Sequence, residues 1–221
     1  MPIPATTGIL RSRIQDLSIG DYIYGFYDKS ISTWGIGEAK GVEYPLEGMP
    51  ATSFDTGYFY YIKVDIGLLV ADRIIQNTQS WNTLNQSSKV IQGRTEVFGG
   101  VKGSFRSLTG GVAYSDVNGN LSLSDMGLGG WPSNNEWDKY IVNFPTEKIQ
   151  FGKTLDDVFN WSPLFTWTQD TPTIGLVIGS TTVTNAFRTF RGRTTVNHFS
   201  GNLSNNSASV GFRPVFEYKE V

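Results

Sequence analysis

Val210-Gly211-Phe212-Arg213-Pro214-Val215-Phe216-Glu217-Tyr218 lies close to the C-terminus, and its reading decides the fold. The side chains alternate with the period of a strand, which puts Phe212, Phe216 and Tyr218 on one side and Arg213 and Glu217 on the other. Upstream, an Asn- and Ser-rich connection runs back from Ser209 to Thr194, and before it Phe187-Arg188-Thr189-Phe190-Arg191-Gly192 reads as a second strand. Farther back, Trp131-Pro132-Ser133-Asn134-Asn135-Glu136-Trp137-Asp138 reads as a helix start. Ser133 and Glu136 have capping-box spacing: the hydroxyl accepts from an orphan amide and the carboxylate reaches back to the serine amide. Trp137 and Ile141, four apart, then share one face, and a tryptophan in the first turn of a short helix belongs to a core.

This order of a Glu-Trp helix, an Arg-Gly strand, a polar loop and a closing Gly-Phe-Arg strand resembles the formylglycine-generating-enzyme branch of the C-type lectin fold. That branch includes the variable receptor-binding (tropism-determinant) proteins of phages and diversity-generating retroelements. The resemblance covers residues 77–221. It implies an α+β domain with a mostly antiparallel sheet, two short helices and long loops. It also implies that the Glu-Trp helix is structural and that Arg213 is a buried or half-buried organiser. Read from the residues alone, Arg191 and Arg213 satisfy backbone carbonyls or a carboxylate. In the variable members the ligand-binding face lies between the Arg-Gly and Gly-Phe-Arg strands. Here that connection carries Asn197, His198, Phe199, Asn202, Asn205 and Asn206. Asn and Ser suit adaptable hydrogen bonding, and Phe199 stands among them as an anchor. An ordinary surface loop explains the same composition. The Asn-x-Ser triplets at Asn202 and Asn205 follow from that composition without glycosylation.

The enzymatic members of the branch use cysteines to activate oxygen through copper, and this chain has no cysteine. Disulfide frameworks and thiolate chemistry are excluded with it. His198 is the sole histidine, which rules out a two-histidine metal site, and no Gly-x-Ser-x-Gly elbow accompanies it. Glycosidases need two carboxylates across a cleft; Asp156 and Asp157 are adjacent and would diverge on a strand. Asp116-Val117-Asn118-Gly119-Asn120 has oxygen ligands at alternate positions, like part of a calcium loop. Leu121 stands where the EF-type turn needs glycine, and an Asn-Gly hairpin turn explains the segment without an ion. The expectation is a non-enzyme with no catalytic residues, no metal and no cofactor.

Toward the N-terminus, residues 1–19 read as an arm and residues 20–76 as a β-rich segment. Pro2 and Pro4 bar regular helix at the start, and residues 9–17 suit a short helix or an edge strand. Strands are expected at 21–27, at 57–64 and at 68–71 as a hairpin partner, with loop from 28 to 56. Ser80 offers an N-cap for a helix over 80–86 carrying Trp81 and Leu84 on one face. A strand follows at 104–108, then a glycine-rich loop at 114–130. The expected core includes Trp81, Leu108, Trp137, Phe190, Phe212 and Phe216.

The 221 residues suffice for a sizeable core. Charged residues make up 17% and aromatics 14%, with 25 glycines, which suits a β- and loop-rich globule. A net charge of −2 with scattered Lys and Arg argues against a nucleic-acid surface. The longest apolar stretch, residues 66–71, is too short for membrane insertion. Met1-Pro2-Ile3-Pro4-Ala5-Thr6-Thr7-Gly8 has no basic region or apolar core of a secretory signal, so synthesis in a host cytoplasm is expected. The combined expectation is a phage virion or tail-associated protein, a homo-oligomer located in the particle. Its expected partners are other virion or tail proteins and a host cell-surface glycan or protein. The alternative is a structural decoration or assembly protein without a receptor role, and a cell-wall hydrolase is the third reading.

Overall fold

The computed structural model describes residues 3–87 and 90–220, the side chain of Ser87 excepted. Among these residues the chain is mostly β with short helices, and most strand pairs are antiparallel. The larger sheet runs in the order Leu10–Arg11, Tyr22–Asp28, Gly57–Asp65, Leu68–Ala71, Val215–Tyr218, Val101–Arg106, Arg94–Phe98. It curls enough for Trp34, on the flanking strand Thr33–Ile36, to meet Phe105 at 5.3 Å between ring centroids. The second sheet runs Phe199–Leu203, Phe187–Arg191, Phe165–Trp167, Val210–Phe212, Gln76–Asn77, Met49–Pro50.

The strand at Gly57–Asp65 is buried over nearly its whole length because both faces of the sheet are covered. Phe59 and Tyr61 point into one core with Leu69, Ala71, Phe105 and Phe216. Tyr60, Ile62 and Val64 point into another, where Trp137, Ile141, Phe144, Val158 and Phe159 cover them. A period of two thus feeds two cores from one strand. All six residues expected in the core, Trp81, Leu108, Trp137, Phe190, Phe212 and Phe216, are buried.

The closing segment differs from a single strand over 210–218. It breaks at Arg213-Pro214 into Val210–Phe212 and Val215–Tyr218, which belong to different sheets. Pro214 has no amide to give a ladder, while its carbonyl accepts from Ala71 N at 3.0 Å. Residues 71–76 make the same passage beside it, and Ile75 N donates to Phe212 O at 2.9 Å. Phe212 and Phe216 nonetheless reach the same core, so the alternation survives the break.

Buried charges clamp this double crossing. Asp72 accepts from Arg73 Nη2 at 2.7 Å and from the amide of Tyr60 at 3.1 Å. Arg73 also donates to Tyr44 O at 2.7 Å and pairs with Glu43 at 2.7 Å. Arg213 donates to Ala71 O at 2.7 Å and Asn160 O at 3.2 Å, and the Asn160 amide returns to Asp72 O at 3.1 Å. Burial brings the Arg213 guanidinium down to about 10, against the pull of Asp72 and Asp156. The organiser role expected for Arg213 holds, with carbonyls as its partners.

Several local readings change. Residues 28–56 contain the short strands Thr33–Ile36, Val42–Glu43 and Met49–Pro50 in addition to loop, paired with Tyr22–Asp28, Gly57–Asp65 and Gln76–Asn77 respectively. Residues 114–130 are not all loop, since Ala113–Ser115, Leu121–Ser122 and Gly130–Trp131 form a small sheet. Gly99-Gly100, both at positive φ, turn Arg94–Phe98 back onto Val101–Arg106, a two-residue hairpin that the glycine pair signals. Asp156 and Asp157 sit on a helix, Leu155–Phe159, and not on a strand; Thr154 and Asp157 form its capping box.

Strands from residues 20–76 and 77–220 share both sheets, so the two stretches fold on common cores. The arm packs on the body: Leu10–Arg11 runs parallel to Tyr22-Ile23, and Ala5, Thr6, Ile14 and Leu17 are buried.

Asp72→Asn removes the buried carboxylate that is bonded to Arg73 and attracts Arg213, leaving Arg73 with Glu43 and Arg213 with carbonyls. A loss of about 3–5 kcal/mol is expected, read as a lower urea midpoint with an unchanged denaturant slope.

Candidate functional site

The helix beside the polar connection starts at Glu136, and residues 138–142 continue it with a π turn. Its cap is Asn135, whose Oδ1 accepts from Asp138 N at 3.0 Å. The expected box between Ser133 and Glu136 does not form, because Arg106 claims Glu136. Arg106 donates to both oxygens of Glu136 at 2.6 and 2.7 Å, and the amide of Thr109 adds a third bond at 2.9 Å. A charged, bidentate partner outcompetes a neutral serine amide. The helix at Trp81–Ser87 does start as expected, with Thr83 N donating to Ser80 Oγ at 3.1 Å.

Arg191 is the brace of the candidate recognition segment. It is fully buried and spans Asp138 on the helix side and the backbone of the polar connection on the other. Nη1 donates to Asp138 Oδ2 at 3.1 Å and to Gly110 O at 2.7 Å. Nε donates to His198 O at 2.9 Å, and Nη2 to Asn197 O at 3.2 Å. Both kinds of partner expected for this arginine, carbonyl and carboxylate, are present. Asn135 Nδ2 and the amide of Gly130 complete the Asp138 carboxylate. Trp137 packs beneath, its indole donating to Val196 O at 2.8 Å.

The connection itself is not all loop. Phe199–Leu203 is a strand, paired with Phe187–Arg191 and at the edge of the six-stranded sheet formed by the described residues. This corrects the placing of Phe199 as an exposed anchor. It is 2% exposed and meets Tyr114 edge-to-face at 5.1 Å, in a small cluster with Leu176, Val183 and Phe187. The reason is strand phase: Phe199 and Gly201 fall on the inner side, Ser200 and Asn202 on the outer. A Cβ at Gly201 would sit 2.9 Å from Arg188 O, so the inner side takes no more there.

Asn197 and His198 are half-buried, Asn202 and Asn206 likewise, and Asn205 is exposed. Asn202 Oδ1 accepts from Leu203 N, and Asn206 Oδ1 from Ala208 N, each at 2.8 Å. These bonds shape the turn and leave the amide nitrogens without a protein partner among the described residues. His198 lies against Phe165, with centroids 5.4 Å apart. Burial lowers its basicity, opposed by Asp125 and reinforced by Arg191. The structure therefore brings Asn202, Asn205 and Asn206 to one edge, with His198 at the near end and Phe199 as a support beneath.

The Asp116 carboxylate is engaged as a turn cap, Oδ1 accepting from Asn118 N at 2.8 Å and Asn120 N at 2.7 Å. Those bonds account for the alternate oxygens of residues 116–120 as hairpin chemistry.

No family model matches the chain, and no curated protein or solved structure matches it either.

Arg191→Met strips Asp138 of its buried cation and frees the carbonyls of Asn197 and His198. Chemical denaturation is expected to show a loss of about 3–5 kcal/mol. A second outcome follows from His198. Its pKa is depressed on folding from the ordinary 6.5, so the unfolded chain binds the extra proton. Stability is therefore full above that value and falls as pH drops through 6.5 toward the folded-state value. His198→Gln should flatten that part of the stability–pH curve.

Proposed function

We propose that this chain is a non-enzymatic phage virion or tail-associated protein, in which residues 77–221 adopt a C-type lectin-like arrangement that contacts a host surface. The observation that carries the reading is the braced edge. Asn202, Asn205 and Asn206 stand on a strand and turn paired with Phe187–Arg191, and just before that strand Arg191 and Trp137 hold the carbonyls of Val196, Asn197 and His198. A rigid support with polar, replaceable side chains on top is what a recognition surface needs. The ligand in this reading is a glycan or protein of the host cell. The particle supplies many copies of a homo-oligomer, and clustering turns weak contacts into avidity.

The resemblance at the Glu-Trp helix, the Arg-Gly strand and the Gly-Phe-Arg strand supports the lectin-like part of the proposal. The buried places of Trp137, Arg191 and Arg213 are consistent with it. The second reading, a decoration or assembly protein of a phage-like particle, is favoured by another observation. Ile3, Ile9 and Leu10 are 49%, 55% and 42% exposed on the arm, apolar surface suited to a neighbouring subunit.

Asn202→Ala combined with Asn205→Ala is expected to weaken particle adsorption to host cells while changing stability by less than about 1 kcal/mol. Unchanged adsorption would remove this edge from the contact. Normal adsorption of particles lacking the protein would favour decoration.

A further inference from the structure

A cleft of about 300 Å³ lies between the curled sheet and the helix Trp81–Ser87. Its volume is at the lower end of the range for small-ligand sites, about 300–1,000 Å³. The lining divides by chemistry. Tyr27, Trp34 and Phe54 form a continuous aromatic group, with centroid separations of 4.9, 4.7 and 5.5 Å. Gln76, Gln79 and Thr83 bring amides and a hydroxyl to the same space. Among the described residues, the side-chain amides of Gln76 and Gln79 and the Tyr27 phenol have no hydrogen-bond partner in the protein. All three rings are half-buried, held in place by the core yet open to the cleft.

Charge narrows the ligand class. Arg94 also lines the cleft, but it pairs with Glu96 at 2.7 Å and lies over Phe105, so the site offers no net charge to an ion. A flat apolar ligand would cover the rings and strip water from the amides without replacing it, at a cost. The matching molecule has one apolar face and a rim of hydroxyls. A pyranose ring has this form: its axial C–H groups lie on the negative face of an aromatic ring, and its hydroxyls reach the amides.

We propose that this cleft is a carbohydrate-binding site for one or two neutral pyranose units. The inference stands on the cleft alone and does not rest on the particle reading.

The test is saturation-transfer NMR on the full chain with the methyl glycosides of glucose, galactose, mannose and N-acetylglucosamine as probes. Transfer to the ring C–H protons of at least one glycoside is expected. Gln79→Ala should weaken that binding about three- to tenfold, the scale of one lost neutral hydrogen bond, at an unchanged melting temperature. Trp34→Ala should abolish it, and Trp34→Phe, which keeps a ring against Phe105, should restore part. No transfer to any of the four, or transfer undiminished in Gln79→Ala, overturns the proposal. Tighter binding of benzoate than of every glycoside, lost in the same variants, would overturn it in favour of an aromatic acid. Cell adsorption plays no part in this measurement, so the two proposals fail separately.

Discussion

The buried charge cluster of Asp72, Arg73 and Arg213 is the constraint on which both sheets depend. Residues 71–76 and 212–215 each leave one sheet and enter the other, side by side, and these three side chains lie at the passage. Taking such charges out of water costs several kcal/mol per ion. The cost is offset only because the guanidinium groups are met by Asp72, Glu43 and the carbonyls of Tyr44, Ala71 and Asn160. The cluster is thus weak as a source of stability and strong as a specifier. A register slip in either segment would leave a charge unmatched in the interior.

Two further arginines, Arg106 and Arg191, repeat the device at the short helix. Arg106 ties the strand Val101–Arg106 to Glu136, and Arg191 ties the strand Phe187–Arg191 to Asp138, so one short helix is held to both sheets through neighbouring carboxylates. Trp137 lies between those carboxylates in sequence and fills the space between them and the outer face of Gly57–Asp65. The polar edge inherits its rigidity from this arrangement, because the carbonyls preceding Phe199 are bonded to a fully buried guanidinium.

Much of the β framework was legible in local pattern. The runs around Tyr22–Asp28, Gly57–Asp65 and Leu68–Ala71 are aromatic and β-branched, and they are strands. Ser80 caps its helix, its hydroxyl accepting from the amide of Thr83. Local pattern is overridden where a distant partner intervenes. Ser133 and Glu136 had capping-box spacing, yet Arg106, 30 residues away, took the carboxylate. Thr154 and Asp157 have the same spacing and do form the box. At the candidate segment the burial of Phe199 was not legible in the sequence. Its phase depends on pairing Arg191 with Phe199 across a turn whose length sequence leaves open.

The sequence by itself determined the β-rich class, the aromatic core set and the absence of thiol chemistry, because these follow from composition and from periodicities of two and 3.6 residues. Tertiary structure alone decided that residues 210–218 serve two sheets and which carboxylate each arginine meets. It also decided which side of Phe199–Leu203 faces out, and that Tyr27, Trp34 and Phe54 meet Gln76 and Gln79 in one cleft. The physical reason is range. Hydrophobic alternation and capping act over a few residues and can be read locally. Buried ion pairs and clefts join groups far apart in the chain, and they exist only once the sheets have brought those groups together.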